Sequence, residues 1–534
     1  MNILRRAAAL PHRPALRDRT GAAGPYGSTQ LPLVRMTWGP LTMESSEGFP
    51  PEEESLSEIV FGTDGWRAVI ADGYTFESVR KVANAIAVAA RTMFAPPEID
   101  RDTLAVGWDR RFLSLDFAQE VALVLSRAGF RVLLSDQPLP SQAISFTAKH
   151  RRILGGVVVT ASHNPARYNG IKFKGWYGGS ALPGMYASIA GNLGRSDERG
   201  GGSVVETNLL DDYLDAVRSH LDLPLLQKAR LRILHDPIYG VAAGLPGRIL
   251  QLDRIEKHLI DPGSSGLTTV TTIRGEVNPS FGGVNPEPIP ENLGAAREAM
   301  RSGELDLAIC NDGDADRLGI LDETGEFVSP HKILALLALY LIRDRGLEGE
   351  IVKTFSTGRL IERVAARLGA PFHETPIGFK HVADLMLARP IVVGGEESGG
   401  IGFGSFLPER DGILSGLLVA ECVARSGESL SRIVAGMEST FGASHYDRRD
   451  LYRSMPACQR LIDRVLAGEL DRAFDLELDR REDVDGVKLV FLDGSWILFR
   501  KSGTEPLIRI YCESSSRERV SAMLEIATRE LDRI

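Results

Sequence analysis

Three aspartates alternate along the run Cys310-Asn311-Asp312-Gly313-Asp314-Ala315-Asp316-Arg317, just after an apolar stretch at 305–309 that reads as a short buried strand. Carboxylates packed this closely repel one another unless a cation sits among them. An all-oxygen donor set favours a hard ion such as Mg²⁺. The C-terminal end of a strand in an α/β protein is where phosphate chemistry is usually placed. Two plainer readings compete. Asp-Gly-Asp turns occur on surfaces with no ion. A calcium loop is the other, since Glu323 falls at its twelfth position, but that motif needs Gly at the sixth position, where this chain has Arg317.

Ser162 lies in the loop Thr160-Ala161-Ser162-His163-Asn164-Pro165, which follows a second apolar run at 156–159. A serine so placed can be a nucleophile; the plainer reading is a turn serine. Lys172 and Lys174 follow nearby and suit a phosphorylated serine. Its nearly two negative charges would make it a natural ligand for an ion held by the aspartates. Arg500, Lys501, Ser502, Gly503, Thr504 and Arg509 form another cluster. Hydroxyls, backbone N–H groups and planar guanidinium forks together make a phosphate grip; otherwise this is a charged hairpin tip. Glu396 and Ser398, flanked by glycines, suit sugar hydroxyls or belong to a flexible loop. The glycine-bearing turn at 61–67 adds a further cation, Arg67.

These residues need elements to carry them. Val79, Val82, Ala83, Ile86, Ala90 and Met93 recur at helical spacing, as do the apolar positions of 117–125. Residues 104–107 and 131–134 read as short strands. Such alternation after residue 56 predicts layered α/β domains with largely parallel sheets. Three times a short apolar strand, at 156–159, 307–309 and 391–393, runs into a polar glycine-bearing loop. Three similar domains, each offering one loop to a shared cleft, would produce that echo. The end differs: strands at 496–499 and 507–512 flank the 500–506 loop in a hairpin-like layout. The expected organisation is therefore three similar mixed α/β domains plus a smaller C-terminal α+β domain around a central cleft. Domain I is placed at 56–226, domain II at 227–330, domain III at 331–445 and domain IV at 446–534.

The chain has 534 residues, 43% hydrophobic and 25% charged, which suits an ordinary globular protein of several domains. A net charge of −9 argues against nucleic acid as a partner. Cys310, Cys422, Cys458 and Cys512 lie far apart with no metal-ligand spacing, so the default setting is reducing and cytoplasmic. The longest apolar run, 333–342, is too short to span a bilayer and reads as a buried core helix. Residues 1–55 are expected to be a disordered or non-native extension. Their Arg-rich, acid-poor start fits a transit peptide or a working start at Met36 or Met43.

Together the loops resemble the α-D-phosphohexomutase family of phosphoglucomutases and phosphomannomutases. Four motifs carry the resemblance, in the family's order: Thr160-Ala161-Ser162-His163-Asn164-Pro165, Gly313-Asp314-Ala315-Asp316-Arg317, Gly395-Glu396-Glu397-Ser398-Gly399 and Arg500-Lys501-Ser502-Gly503-Thr504-Glu505-Pro506. The resemblance implies an intramolecular phosphotransferase in which Ser162 is phosphorylated and Asp312, Asp314 and Asp316 bind Mg²⁺ with that phosphate. It implies that Lys172 is a general acid/base and that Arg67 and His163 line the reacting end. Arg317, Lys380, Glu396 and Ser398 would contact the sugar. Arg500, Ser502, Gly503, Thr504 and Arg509 would hold the phosphate that is not reacting. Small-molecule sugar phosphates would be the partners, glucose 1,6-bisphosphate the activator, and the assembly a monomer or homodimer. Thr375-Pro376-Ile377-Gly378-Phe379-Lys380 resembles the glucose-directed members, so glucose 1-phosphate and glucose 6-phosphate are the expected pair. Gly400 stands where many dual-specificity and glucosamine members carry histidine. Mannose phosphate is the alternative substrate. A silent sugar-phosphate-binding relative and a phosphatase with a phosphoserine intermediate are the competing classes.

Overall fold

The computed structural model describes residues 59–62, 64–251, 267–502 and 506–534. The expectations for residues 1–55, Gly503 and Thr504 lie outside the described residues.

Four sheets follow one another along the chain. In the first, Asp100–Trp108 lies parallel between Arg131–Ser135 and Ile153–Val159, and Ser203–Thr207 extends the sheet beyond Arg131–Ser135. Val157, Val158 and Val159 are all fully buried, as a parallel strand covered on both faces must be. Helices Phe76–Thr92 and Ser114–Arg127 pack in one apolar cluster and Ser141–His150 in another. The helical spacing from Val79 onward is realised in Phe76–Thr92, whose first turn is closed by a reciprocal cap between Thr75 and Ser78. The sheet then reverses direction. Tyr168–Gly175 runs antiparallel to Ile153–Val159 with Lys172 opposite Val158, and Trp66–Ile70 runs antiparallel to it in turn with Arg67 opposite Gly170.

In the second sheet Leu307–Asn311 is flanked by parallel Arg232–Asp236 and antiparallel Leu318–Asp322, so the aspartate run is a hairpin tip between two buried strands. The third sheet orders Phe372–Thr375, Glu350–Thr354, Ile391–Gly395 and Ile401–Gly402, the last pair closing the Glu396 loop. The fourth is fully antiparallel: His445–Tyr452, Leu507–Ser514, Trp496–Lys501, Val487–Phe491 and Leu478–Glu482. Helices Met455–Leu466 and Arg517–Asp532 cover one of its faces. Its other face, through Val490, Trp496, Leu498 and Tyr511, packs on Phe355 of the third sheet.

The first three sheets share one apolar cluster. Ile144, Ile233, Leu334, Leu360 and Leu417 all belong to it. The run at 333–342 is buried within that cluster as helix Pro330–Leu339 followed by a π-helical turn at Tyr340–Asp344. Among the described residues no helix is long and apolar enough to cross a membrane. The four cysteines are buried and unpaired.

Candidate active site

Ser162 sits three residues past the buried strand Ile153–Val159 in a left-handed conformation, φ 52°, which a serine adopts only when its surroundings impose it. The Arg111 fork imposes it by donating to the carbonyls of Ser162 and Asn164, both at 2.6 Å. The Ser162 N–H donates to Thr160 Oγ1 at 2.9 Å. The side chain is thereby aimed at the second domain, where Ser162 Oγ donates to Asp312 Oδ2 at 2.8 Å. Gly313 makes this approach possible, because a Cβ there would stand 2.6 Å from the Ser162 carbonyl oxygen.

Asp312, Asp314 and Asp316 are all buried, and one oxygen of each lies within 4.8 Å of the others. Asp314 Oδ1 and Asp316 Oδ1 are buried without any hydrogen-bond partner. Each such orphan costs about 1–3 kcal/mol, more when charged. A cation bound by the orphaned oxygens would remove that cost, and an all-carboxylate set fits a hard ion. Burial and the charges of Asp316 and Asp314 push the Asp312 carboxyl well above the usual range. Burial also acts to raise Asp314, but Lys172 and Ser141 outweigh it and hold that carboxylate low.

Lys172 is fully buried, with Nζ at 2.8 Å from Asp314 Oδ2, 3.0 Å from Asp64 Oδ2 and 3.2 Å from Asp316 Oδ2. Burial acts to discharge it, yet the three carboxylates win and hold the ammonium charged far above neutrality. So placed, it can give a proton or steady negative charge; it cannot accept a proton. Lys174, expected beside a phosphoserine, does something else. It shares a strand face with Lys172, but it lies one pair further along, where its Nζ pairs with Glu409 at 2.6 Å in a second buried pair.

Arg410 joins the carboxylates to the Glu396 loop. Its Nη2 lies 2.7 Å from both Asp64 Oδ2 and Asp316 Oδ2, and its Nη1 lies 3.4 Å from Glu396 Oε2. Burial pushes the Glu396 carboxyl up to about 7, only partly countered by Arg410. The side chain of Arg410 runs directly over Gly400.

Above this floor opens a cleft of about 690 Å³ lined from all four sheets' domains. His163 and Arg317 line it, with Arg317 Nη1 paired to Glu287 at 2.8 Å. Burial, followed by the charges of Arg317 and Arg67, keeps His163 neutral, and its Nδ1 lies 3.5 Å from Ser162 Oγ. Lys380, Glu396 and Ser398 line the third domain's wall; Arg500, Ser502 and Arg509 line the fourth's. Arg67 is not among the lining residues and donates to Asn164 Oδ1 at 2.7 Å, bracing the serine loop. Ser162, Lys172 and the three aspartates do not line the cleft but lie buried against lining residues, through His163 beside Ser162, Asp64 paired to Lys172 and Arg410 paired to Asp316.

Sequence reasoning missed Asp64, Glu287, Arg410 and Arg448, the last on the cleft wall beside Arg500. One signal was available for Arg410. The run Glu409-Arg410-Asp411 interrupts an otherwise apolar stretch and leads into the buried helix Gly412–Ser426, so its charges must find partners inside.

Comparison with known proteins gives four consecutive matches to phosphoglucomutase/phosphomannomutase domain families. They are alpha/beta/alpha domain I at 58–200, domain II at 211–325, domain III at 329–441 and the C-terminal domain at 464–529. A protein of Thermococcus kodakarensis named phosphoglucomutase/phosphomannomutase is 29% identical, over 89% of this chain and 98% of its own length. A protein of Methanothermobacter thermautotrophicus named as a probable phosphoglucosamine mutase is 30% identical, over 86% of this chain and 95% of its own. A crystal structure from Thermus thermophilus bearing a phosphomannomutase name superposes with TM-score 0.75 at 35% identity, covering 89% of this chain and 99% of that one.

Proposed function

The chain belongs to the phosphoglucomutase/phosphomannomutase family, and from that premise we propose that it interconverts glucose 1-phosphate and glucose 6-phosphate. The reaction passes through a phosphoserine at Ser162 and a bisphosphorylated sugar. The observation that carries the reading is the Ser162 Oγ to Asp312 Oδ2 contact of 2.8 Å, next to a cleft also lined by Arg448, Arg500 and Arg509 of the fourth domain.

In the first half-reaction the free hydroxyl of the bound hexose phosphate attacks the phosphorus on Ser162. An O–P bond forms to the sugar as the Ser162 Oγ–P bond breaks, and one proton passes overall from the sugar hydroxyl to Ser162 Oγ. His163, whose Nδ1 lies 3.5 Å from Ser162 Oγ, and Lys172, held against the aspartates, are the groups placed to serve that proton's passage, His163 as a weak base and Lys172 as a weak acid. Arg317, Lys380, Glu396 and Ser398 orient the sugar. Arg500, Ser502 and Arg509, joined by Arg448, grip the phosphate that is not reacting. The bisphosphorylated sugar then turns end for end, and the second half-reaction returns its other phosphoryl group to Ser162. Asp312, Asp314 and Asp316 would hold Mg²⁺, which would supply charge neutralisation for the migrating group. Glucose 1,6-bisphosphate serves as activator by restoring the phosphoserine.

The glucose preference is supported by the 375–380 loop and by Gly400. Relatives named for mannose and glucosamine define the competing substrates. A coupled assay with Mg²⁺ and a trace of the activator, comparing the 1-phosphates of glucose, mannose and glucosamine, decides among them. Turnover fastest on glucose 1-phosphate and lost in Ser162→Ala is the expected result. Faster turnover of either other sugar would reassign the substrate and leave the phosphoserine chemistry in place.

A further inference from the structure

Asp485 stands at the turn between strands Leu478–Glu482 and Val487–Phe491, and its two oxygens serve two different domains. Oδ1 accepts from Arg500 Nε at 2.9 Å. Oδ2 accepts from the backbone N–H of Ile377 at 3.1 Å. Arg500 and Ile377 both line the cleft, Arg500 on the fourth domain's wall and Ile377 just before helix Phe379–Ala388, whose first turn carries Lys380.

Docking of the fourth domain does not need this carboxylate. Phe355 packed against Val490, Trp496, Leu498 and Tyr511 provides the apolar contact. Glu513 adds a polar one, accepting from the Arg359 N–H and from Trp496 Nε1, each at 2.7 Å. Asp485 lies instead at the cleft rim, where its side chain is a quarter exposed. An arginine has five N–H donors in a rigid fork. Committing Nε to Asp485 fixes the plane of that fork and leaves its remaining donors for an anion.

We propose that Asp485 is a positioning residue for phosphosugar transfer. By holding Arg500 and the Ile377 N–H on one carboxylate, it fixes the spacing between the phosphate grip of the fourth domain and the sugar loop of the third. That spacing keeps the bisphosphorylated sugar in the cleft while it turns. The inference rests on the mutase reading above. Escape of the intermediate leaves Ser162 unphosphorylated, so retention can be read as the demand for added glucose 1,6-bisphosphate.

The test compares the full chain with Asp485→Asn, which can still accept from Ile377, and Asp485→Ala, which cannot. The expected result for Asp485→Asn is a half-maximal activator concentration raised about tenfold, the usual weight of one charge-assisted hydrogen bond. Its kcat at saturating activator should stay within about threefold of the parent. Asp485→Ala should raise the demand further. An unchanged activator demand, or a fall in kcat without one, overturns the proposal when the parent is active. An inactive parent removes the mutase reading itself, so the two failures are distinguishable.

Discussion

Arg410 lies over Gly400 so closely that a Cβ at position 400 would stand 2.3 Å from Arg410 Cδ. The side chain whose guanidinium spans Asp64, Asp316 and Glu396 therefore takes the space that position 400 leaves open. Gly400→Ala should displace Arg410 and lower kcat/KM at least tenfold, since small misplacements in a preorganised site are costly. Arg410→Lys keeps the charge but loses the fork and should fall by a similar factor. Steady-state kinetics of both variants check this, and near-parental activity in Gly400→Ala would remove Arg410 from the machinery.

Asp312 separates stability from activity. Burial and its two like-charged neighbours already disfavour its ionised form. Asp312→Asn should thus leave the metal-free protein as stable as the parent or slightly more so. With Mg²⁺ present it should lose activity by about a hundredfold or more, as a donor of the cation site is lost. Thermal denaturation in a chelator, alongside the assay, reads both effects.

Lys172 should behave in the opposite way. Lys172→Met leaves the charges of Asp64, Asp314 and Asp316 facing one another around the space of the lost ammonium. Breaking a buried ion pair on one side costs about 3–5 kcal/mol. Denaturant titration should show a loss of that order, and bound Mg²⁺ should restore part of it.

Glu396 gives the sugar-binding step its own pH signature. With its carboxyl raised by burial to about 7 in the free enzyme, the ionised acceptor form is present above that pH and lost below it. The ratio of parental to Glu396→Gln kcat/KM should therefore rise about tenfold between pH 6 and pH 8. Taking the ratio cancels the ionisation of the substrate phosphate. A flat ratio would place the sugar's contact elsewhere.

Stability in mild acid should reflect two buried histidines. Burial depresses His235 to about 4 and His331 to about 3. The unfolded chain binds protons at both positions from about pH 6.5 downward, whereas the folded chain does not until well below that. Stability is therefore full above pH 6.5 and falls as the pH drops from there, by up to about 1.4 kcal/mol per pH unit for each histidine. Denaturant melts at pH 7 and pH 5 measure the slope, and His235→Gln should lessen it.

The parts legible in the sequence were those written locally. The strand before the aspartates, the serine loop and the 500–509 hairpin are contiguous runs whose neighbours along the chain are also neighbours in space. What stayed illegible depends on distant partners. Arg410 meets Asp64 across 346 positions, and nothing near either residue encodes the meeting. Lys172 and Lys174 read as one basic patch and do share a strand face, but acids distant in sequence, Asp314 and Glu409, divide them along it. Glu287 lies in a proline-rich connection with no periodicity to mark it.

The apolar cluster shared by the first three sheets has a calorimetric consequence. Those domains should melt together, because opening any of them strips its neighbours of part of their interior. The fourth domain has a separate interior. Heating should thus give two transitions, a smaller one for the last sheet and a larger one for the rest, and a ligand gripped across the cleft should draw the two together.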